Sequence, residues 1–366
     1  MHRSRFRPLL LATFLVLPSL LAACTGDDDG AASTPEPVAT TDESLPPRPF
    51  ELGVSSLPIE ASEDAYRDAF ALAGSLGDLV LIQRAPPWAD FLPGGTISPR
   101  TERLTRLERD LARSNDLHLL IAIDPTQPSD RGMLAGLPVA LAGRDFSDKD
   151  VRASFIAYAK YMALNYKPAY MAVGVEVDLY YTRRGDAAFR NFVSVYFEAY
   201  DAVKEVSPAT QVFPTFQYEN VLGLLNGGAP SQPAWSLVNR FEPKLDLLAV
   251  STFPRAAFSA IQALPGDYYS ALAKQTDKPI AFFSSGWASR NDGTDDEASQ
   301  VAFVYRIFAA AEELQSPFLI WFLARDPDVG PDDGLGSLAS MGLFDVSGTP
   351  KNALKVWRNY LARPVR

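Results

Sequence analysis

The sequence predicts an α/β protein, a single (β/α)8 barrel, and three observations carry that prediction. Eight short apolar, β-branched runs alternate with eight stretches of helical spacing between Phe50 and Leu361. That is the pattern of parallel strands returned by helices. No shift in composition divides the span into two halves. Charged and aromatic residues gather where the apolar runs end, as they do at the carboxyl edge of a barrel. A doubly wound open sheet shares the alternation, but no Gly-rich phosphate loop supports it.

Taken in order, Phe50 to Leu57 is the first strand and Ser62 to Gly74 the helix behind it. Leu79 to Gln83 is the second strand, ending at Arg84 and a loop that carries Trp88; Arg100 to Ser114 is an amphipathic, charge-laced helix. Leu117 to Ile123 is the third strand, stopped by Asp124-Pro125, and Lys149 to Leu164 is the next helix. The fourth strand opens at Met171 and is followed by a long helix from Asp186 to Val206. Gln211 to Phe216 runs into Gln217-Tyr218-Glu219, with a short helix at Trp235 to Phe241. Leu245 to Val250 is the sixth strand, with a helix at Tyr268 to Gln275, and Pro279 to Phe283 is the seventh. Asp295 to Leu314 is a helix, Phe318 to Leu323 the eighth strand, and the last helix runs to Leu361. Thr349 is its expected cap and Pro350 its first residue.

The chain ahead of the barrel reads differently. Arg3, Arg5 and Arg7 precede an apolar run from Leu9 to Leu21, and Leu21-Ala22-Ala23-Cys24 resembles a bacterial lipoprotein box. This divides the chain into a signal peptide over 1–23, a lipidated Cys24 with a flexible linker over 24–48, and the barrel over 49–366. The plainer alternative leaves Cys24 unmodified beside an ordinary cleavage site. The linker is rich in Asp, Ala, Thr, Ser and Pro and has little to bury. The protein is thus expected to be exported and lipid-anchored at a bacterial cell envelope, and monomeric. No later stretch is apolar enough to span a membrane.

Composition excludes several chemistries. Cys24 is the single cysteine of the 366 residues, so disulfides within the chain and cysteine metal sites are ruled out. The two histidines are His2, in the leader, and His118, mid-strand and read as a satisfied core imidazole. A Ser-His-Asp triad or a His-ligated metal is therefore not expected, and neither is a cofactor. All-oxygen calcium sites in the acidic loops at 291–297 or 326–333 are more simply solvated turns. A net charge of -10 with no basic patch argues against nucleic acid as a partner.

The fourth strand concentrates the chemistry. Tyr-Met-Ala-Val-Gly-Val-Glu-Val-Asp, from Tyr170, starts as a buried strand and acquires Glu176 and Asp178. If the strand continues, Gly174, Glu176 and Asp178 share one face. Charges are seldom buried unpartnered, so the pair suggests a site at the carboxyl edge, or more blandly a pairing with a neighbouring Arg. The other strand ends supply Ser55, Arg84, Trp88, Asp124, Gln217, Glu219, Ser251, Phe253, Ser284, Ser285, Trp287, Trp321, Arg325 and Asp326. This acidic and aromatic set suits a neutral polyol, with rings covering apolar sugar faces and carboxylates accepting hydroxyl protons.

From Phe50 to Tyr360 the chain resembles the glycoside hydrolase clan of (β/α)8 barrels with catalytic glutamates on strands four and seven, especially its endo-β-galactanase-like families. Gly174-Val175-Glu176 is similar to the clan's Gly-Asn-Glu, whose Glu is the acid/base. Lys278-Pro279 leading to Ser284-Ser285-Gly286-Trp287 resembles its Lys-Pro…Glu-Thr-Gly-Trp, whose Glu is the nucleophile. Asp246…Ser251-Thr252-Phe253-Pro254 resembles its Asp…Ser-Tyr-Pro, Trp321 the Trp that floors the sugar site, and Gly342 to Trp357 its closing turn and helix. The resemblance implies a carbohydrate partner, with Glu176 as general acid. It also exposes two departures: Ser284 stands at the nucleophile position and Val175 at the Asn position. Retaining catalysis needs that missing carboxylate.

Two functions follow, with a third, a structural or assembly protein of the cell envelope whose cleft is vestigial, behind them. One is a surface-anchored glycoside hydrolase acting on poly- or oligosaccharide by inversion, with Glu176 as acid and its base taken from Asp124, Asp178, Glu219 or Asp326. Arg84, Trp88, Gln217, Phe253, Trp287, Trp321 and Asp326 would bind substrate. The other is a non-catalytic carbohydrate-binding lipoprotein that has lost the nucleophile.

Overall fold

The computed structural model describes residues 46–225, 231–291, 294–328 and 336–366, so the expected signal peptide and Cys24 lie outside the described residues. The strands are β1 (Glu51–Ser55), β2 (Leu79–Arg84), β3 (His118–Ile123), β4 (Tyr170–Val173), β5, β6 (Leu248–Thr252), β7 (Ile280–Ser285) and β8 (Phe318–Trp321). β5 comes in two pieces, Gln211–Phe213 and Thr215–Gln217, on either side of Pro214, which has no N–H to give a ladder. The first piece pairs with β4 and the second with β6. β1 pairs with β8, and all neighbours are parallel, so the ring is closed.

Main helices surround the ring: α1 (Glu63–Leu76), α2 (Pro99–Ser114), α3 (Lys149–Tyr166), α4 (Val177–Val206), α5 (Ser236–Asn239), α6 (Glu297–Glu313) and α7 (Asn352–Leu361). Ser62, Ser98 and Asp148 cap α1, α2 and α3 by accepting backbone N–H bonds. Between β6 and β7 the helix expected at Tyr268 to Gln275 is a 3-10 segment, Ser270–Lys274.

Register decides which side chains fill the barrel. Glu51 pairs with Phe318, and Gly53 with Leu79 and Ile320, so these residues share the interior face. The Phe318 ring lies 4.6 Å from Tyr170 and 6.1 Å from Phe213, plugging the amino end. A Cβ on Gly53 would sit 2.3 Å from the Leu79 carbonyl oxygen and 2.6 Å from Ile320 Cδ1, so only glycine fits there. The alternate residues point outward: Trp321 packs on Phe303 of α6 and Trp357 of α7.

Four further expectations need correction. β4 ends at Val173, and α4 begins at Val177. Gly174 at φ 112° and Glu176 at φ 49° turn the chain there, so Glu176 and Asp178 do not share a strand face. The long helix starts nine residues before Asp186, and Gly185 interrupts it with non-helical angles. α7 starts after Lys351, because the Asp345 carboxylate takes the N–H groups of Ser347 and Thr349 into a turn. Finally, His118 opens β3 at the amino end, exposed and bonded to Glu51, rather than in the core.

Candidate functional site

The carboxyl edge of the ring carries a chain of polar contacts that begins at β3. Asp124 follows β3, and the residues after it form an antiparallel hairpin, Thr126–Gln127 with Asp130–Leu134. Arg131 in this hairpin turns inward. Its Nη1 donates to both Asp124 oxygens at 2.8 Å and to Thr126 Oγ1 at 3.1 Å, and its Nη2 donates to Glu176 Oε2 at 2.8 Å. Gln83 Nε2 adds a bond to Asp124 Oδ2 at 2.9 Å. Burial acts to discharge Arg131, but the Asp124 and then the Glu176 charges overcome it and hold the guanidinium ionised.

Glu176 is fixed from behind, since its N–H donates to Thr215 Oγ1 at 2.9 Å. Its side chain keeps 13% exposure. Gly174 makes this turn: at its φ of 112°, a Cβ would also lie 2.5 Å from Phe192 Cζ.

Asp178, in the first turn of α4, is fully buried and accepts from the Gln217 N–H at 2.8 Å and from Asn220 Nδ2 at 2.7 Å. Burial pushes its carboxyl up to about 7, against those hydrogen bonds, and the Glu176 charge adds to the rise. Gln217 bridges onward, its Nε2 donating to Glu219 Oε2 at 2.6 Å. Glu219, fully buried, also accepts from Thr252 Oγ1 at 2.7 Å, Tyr268 Oη at 2.9 Å and the Phe253 N–H at 3.1 Å. Burial likewise raises its carboxyl.

The opposite side of the mouth is apolar. Ser251 pairs with Ser284, Thr252 with Ser285, and Ser285 with Trp321, after a bulge between Phe282 and Ser284. The next residues along these strands are Phe253, Gly286 and Phe322. The Phe253 and Phe322 rings meet edge to face at 6.0 Å across the end of β7. A Cβ on Gly286 would fall 2.9 Å from Met341 Sδ and 3.5 Å from Phe253 Cε1. Ser284 is nearly buried at this end, and Ser285 Oγ donates to the Ile320 carbonyl at 2.8 Å. No carboxylate stands in the β7 strand.

Several expected binding residues lie elsewhere. Arg84 alternates with the inward Gln83, so it points into the helix layer, where it makes a two-bond pair with Glu108 of α2 and reaches Tyr158 and Tyr166. Trp88 is buried, donating to the Ala135 carbonyl at 2.6 Å and stacked on Phe155. Trp287 is buried against Phe303, with Arg255 over its ring. Trp321 is buried and donates to the Met341 carbonyl at 2.8 Å. None of the three indoles presents a face to the mouth. Asp326 binds Lys351 Nζ at 2.6 Å and the Gly342 N–H at 2.7 Å, closing the turn into α7. Glu176, Asp124, Gln217, Asp178, Glu219 and Phe253 are the expected residues that the edge does bring together.

The edge also uses residues that the sequence did not single out: Arg131, Phe322, Asn220 and Tyr268. Two signals were available. Thr126 to Leu134 has the Pro-Ser-Asp-Arg-Gly centre of a hairpin beside the β3 end. Phe322 follows from period two once one interior residue of β8 is known.

No protein-family model matches the sequence, and no curated protein is similar to it in sequence. Solved structures do resemble the fold. An exo-β-1,4-mannosidase from Opitutaceae bacterium strain TAV5 is 18% identical with TM-score 0.65, over 85% of this chain but only 59% of the enzyme's length. A GH5_18 protein from Streptomyces cattleya, solved in complex with GlcNAc, is 18% identical with TM-score 0.66, over 87% of this chain and 83% of its own. A family 39 glycoside hydrolase from Bacteroides cellulosilyticus WH2 is 14% identical with TM-score 0.58, over 86% and 64%. At these identities the likeness is one of fold: the chain has the (β/α)8 barrel of GH5 and GH39 glycoside hydrolases.

Proposed function

We propose that this is a carbohydrate-binding protein that keeps the mouth of a glycoside hydrolase barrel without its hydrolytic pair. The observation that supports it most is the end of β7, where Ser284, Ser285 and Gly286 lie under Phe253 and Phe322. A serine hydroxyl has no charge to offset an oxocarbenium-like transition state, and His118, the histidine among the described residues, lies at the opposite end of the barrel. Inversion instead needs a second carboxyl with room for a water, roughly 6.5–9.5 Å from the acid. Asp178 and Glu219 are fully buried and occupied by donors. Asp124 is held by Arg131, and Asp326 by Lys351.

Glu176 is the most open of these carboxylates, and its Oε2 accepts from the Arg131 guanidinium. Its role here is to accept a sugar hydroxyl, while the half-buried Phe253 and Phe322 cover an apolar sugar face. Anchoring through a lipidated Cys24 would place the protein at the cell envelope. The catalytic part of this reading is tested with 2-deoxy-2-fluoroglycosyl fluorides and intact-mass analysis. No adduct is expected, and Glu176→Gln should weaken oligosaccharide affinity about ten-fold through one lost charged hydrogen bond. A covalent sugar on any residue overturns the proposal.

A further inference from the structure

We infer that Arg131 sets which sugars this mouth accepts, admitting uncharged and amino sugars and turning away uronic or sulfated ones; this rests on the carbohydrate reading above. Arg131 is built into the edge rather than draped across it. Asp130 Oδ1 accepts the Gly132 N–H at 3.0 Å, which presets the turn. A Cβ on Gly132 would lie 2.9 Å from Arg183 Cβ, so the hairpin is seated closely on α4. The Arg131 side chain is 14% exposed, and its two terminal nitrogens already serve Asp124, Thr126 and Glu176.

Two consequences follow for a ligand. Asp124, Glu176 and Arg131 together carry one net negative charge, and the cation has no charge left to offer an anion. A carboxylate or sulfate on a sugar therefore meets net repulsion from the pair of carboxylates around Arg131. Glu176 Oε1, in contrast, has no hydrogen bond among the described residues and can accept from a hydroxyl or an ammonium. Three other cations on these loops are already paired, Arg184 with Asp145, Arg255 with Asp296 and Lys351 with Asp326. Arg183 and Arg290 stand exposed.

The experiment titrates the full chain, purified in detergent, with neutral gluco-, manno- and galacto-oligosaccharides, N-acetylglucosamine oligomers, glucosamine oligomers and the corresponding oligouronates. Neutral or amino oligomers should bind at least ten-fold more tightly than the uronates. Arg131→Gln leaves two carboxylates without their cation, so the preference for glucosamine over N-acetylglucosamine oligomers should rise about ten-fold, as one unit charge a few ångströms away provides at intermediate dielectric. Arg131→Lys restores the charge and should restore the wild-type ratio. Uronates that bind as well as their neutral counterparts overturn the inference, as does a folded Arg131→Gln protein with unchanged ratios. If Arg131→Gln does not fold, the wild-type and Arg131→Lys ratios still decide. Absence of binding to every oligosaccharide defeats the carbohydrate reading itself, and this inference with it.

Discussion

Asp178 illustrates how a single carboxyl couples the site to stability. It binds its proton more tightly when folded, with a value raised to about 7, than when unfolded, near 3.8. Between those limits the native state holds the extra proton, so stability falls as pH rises from about 4 through 7. The loss above pH 7 is roughly 4 kcal/mol at most from this group. Asn at this position can still accept the Gln217 N–H without a charge to bury. The Asp178→Asn protein should therefore lose less stability between pH 5 and 8 than the wild type, in urea melts taken across that range. Parallel stability curves would show that Asp178 is not the group responsible. Glu219 is raised in the same direction, which is why the difference between the two proteins, and not the wild-type slope, is the informative quantity.

At the scale of the strand, one residue of register separates structure from function. Trp321 faces α6 and α7, while Phe322 faces the mouth beside Phe253. Trp321→Ala should cost about 3–5 kcal/mol of stability, since it empties a closely packed pocket. Phe322→Ala should cost less and instead weaken oligosaccharide binding several-fold, as calorimetry on the two folded proteins would show. The reverse pattern would return the sugar platform to the indole. The sequence carried the alternation of strands and helices, and with it the edge where Asp124, Glu176, Gln217 and Glu219 gather. It did not carry the face on which Trp321 or Arg84 lies, because a strand buried on both sides has no polar alternation to reveal inside from outside. Nor did it carry the early end of β4: Val175 and Val177 prolong an apolar pattern that the left-handed angle at Glu176 breaks. The hairpin carrying Arg131 was legible in its Pro-Ser-Asp-Arg-Gly centre, but the role of Arg131 was not, since a hairpin residue gains it only when the loop folds back on Asp124 and Glu176.

For the whole molecule, the two ends of the barrel have separate tasks. Near its amino end, Arg48 is buried, paired with Asp78 at 2.7 Å just before β2, and its N–H donates to the Pro364 carbonyl at 2.9 Å. The chain thus enters at the face opposite the mouth. The lipoprotein box motivates a direct check: Cys24→Ser should abolish lipid labelling and move the protein out of the membrane fraction. Retained labelling would refute the anchor. Among the described residues no helix is long and apolar enough to cross a membrane.

The central claim is that sugar recognition has outlived hydrolysis on this barrel. Its most direct test puts one preparation of the full chain through a polysaccharide and oligosaccharide panel, measuring heat of binding and release of reducing ends in the same samples. Saturable binding without any release of reducing ends, weakened by Glu176→Gln, is the predicted result. Turnover that saturates with substrate and disappears in Glu176→Gln would contradict it.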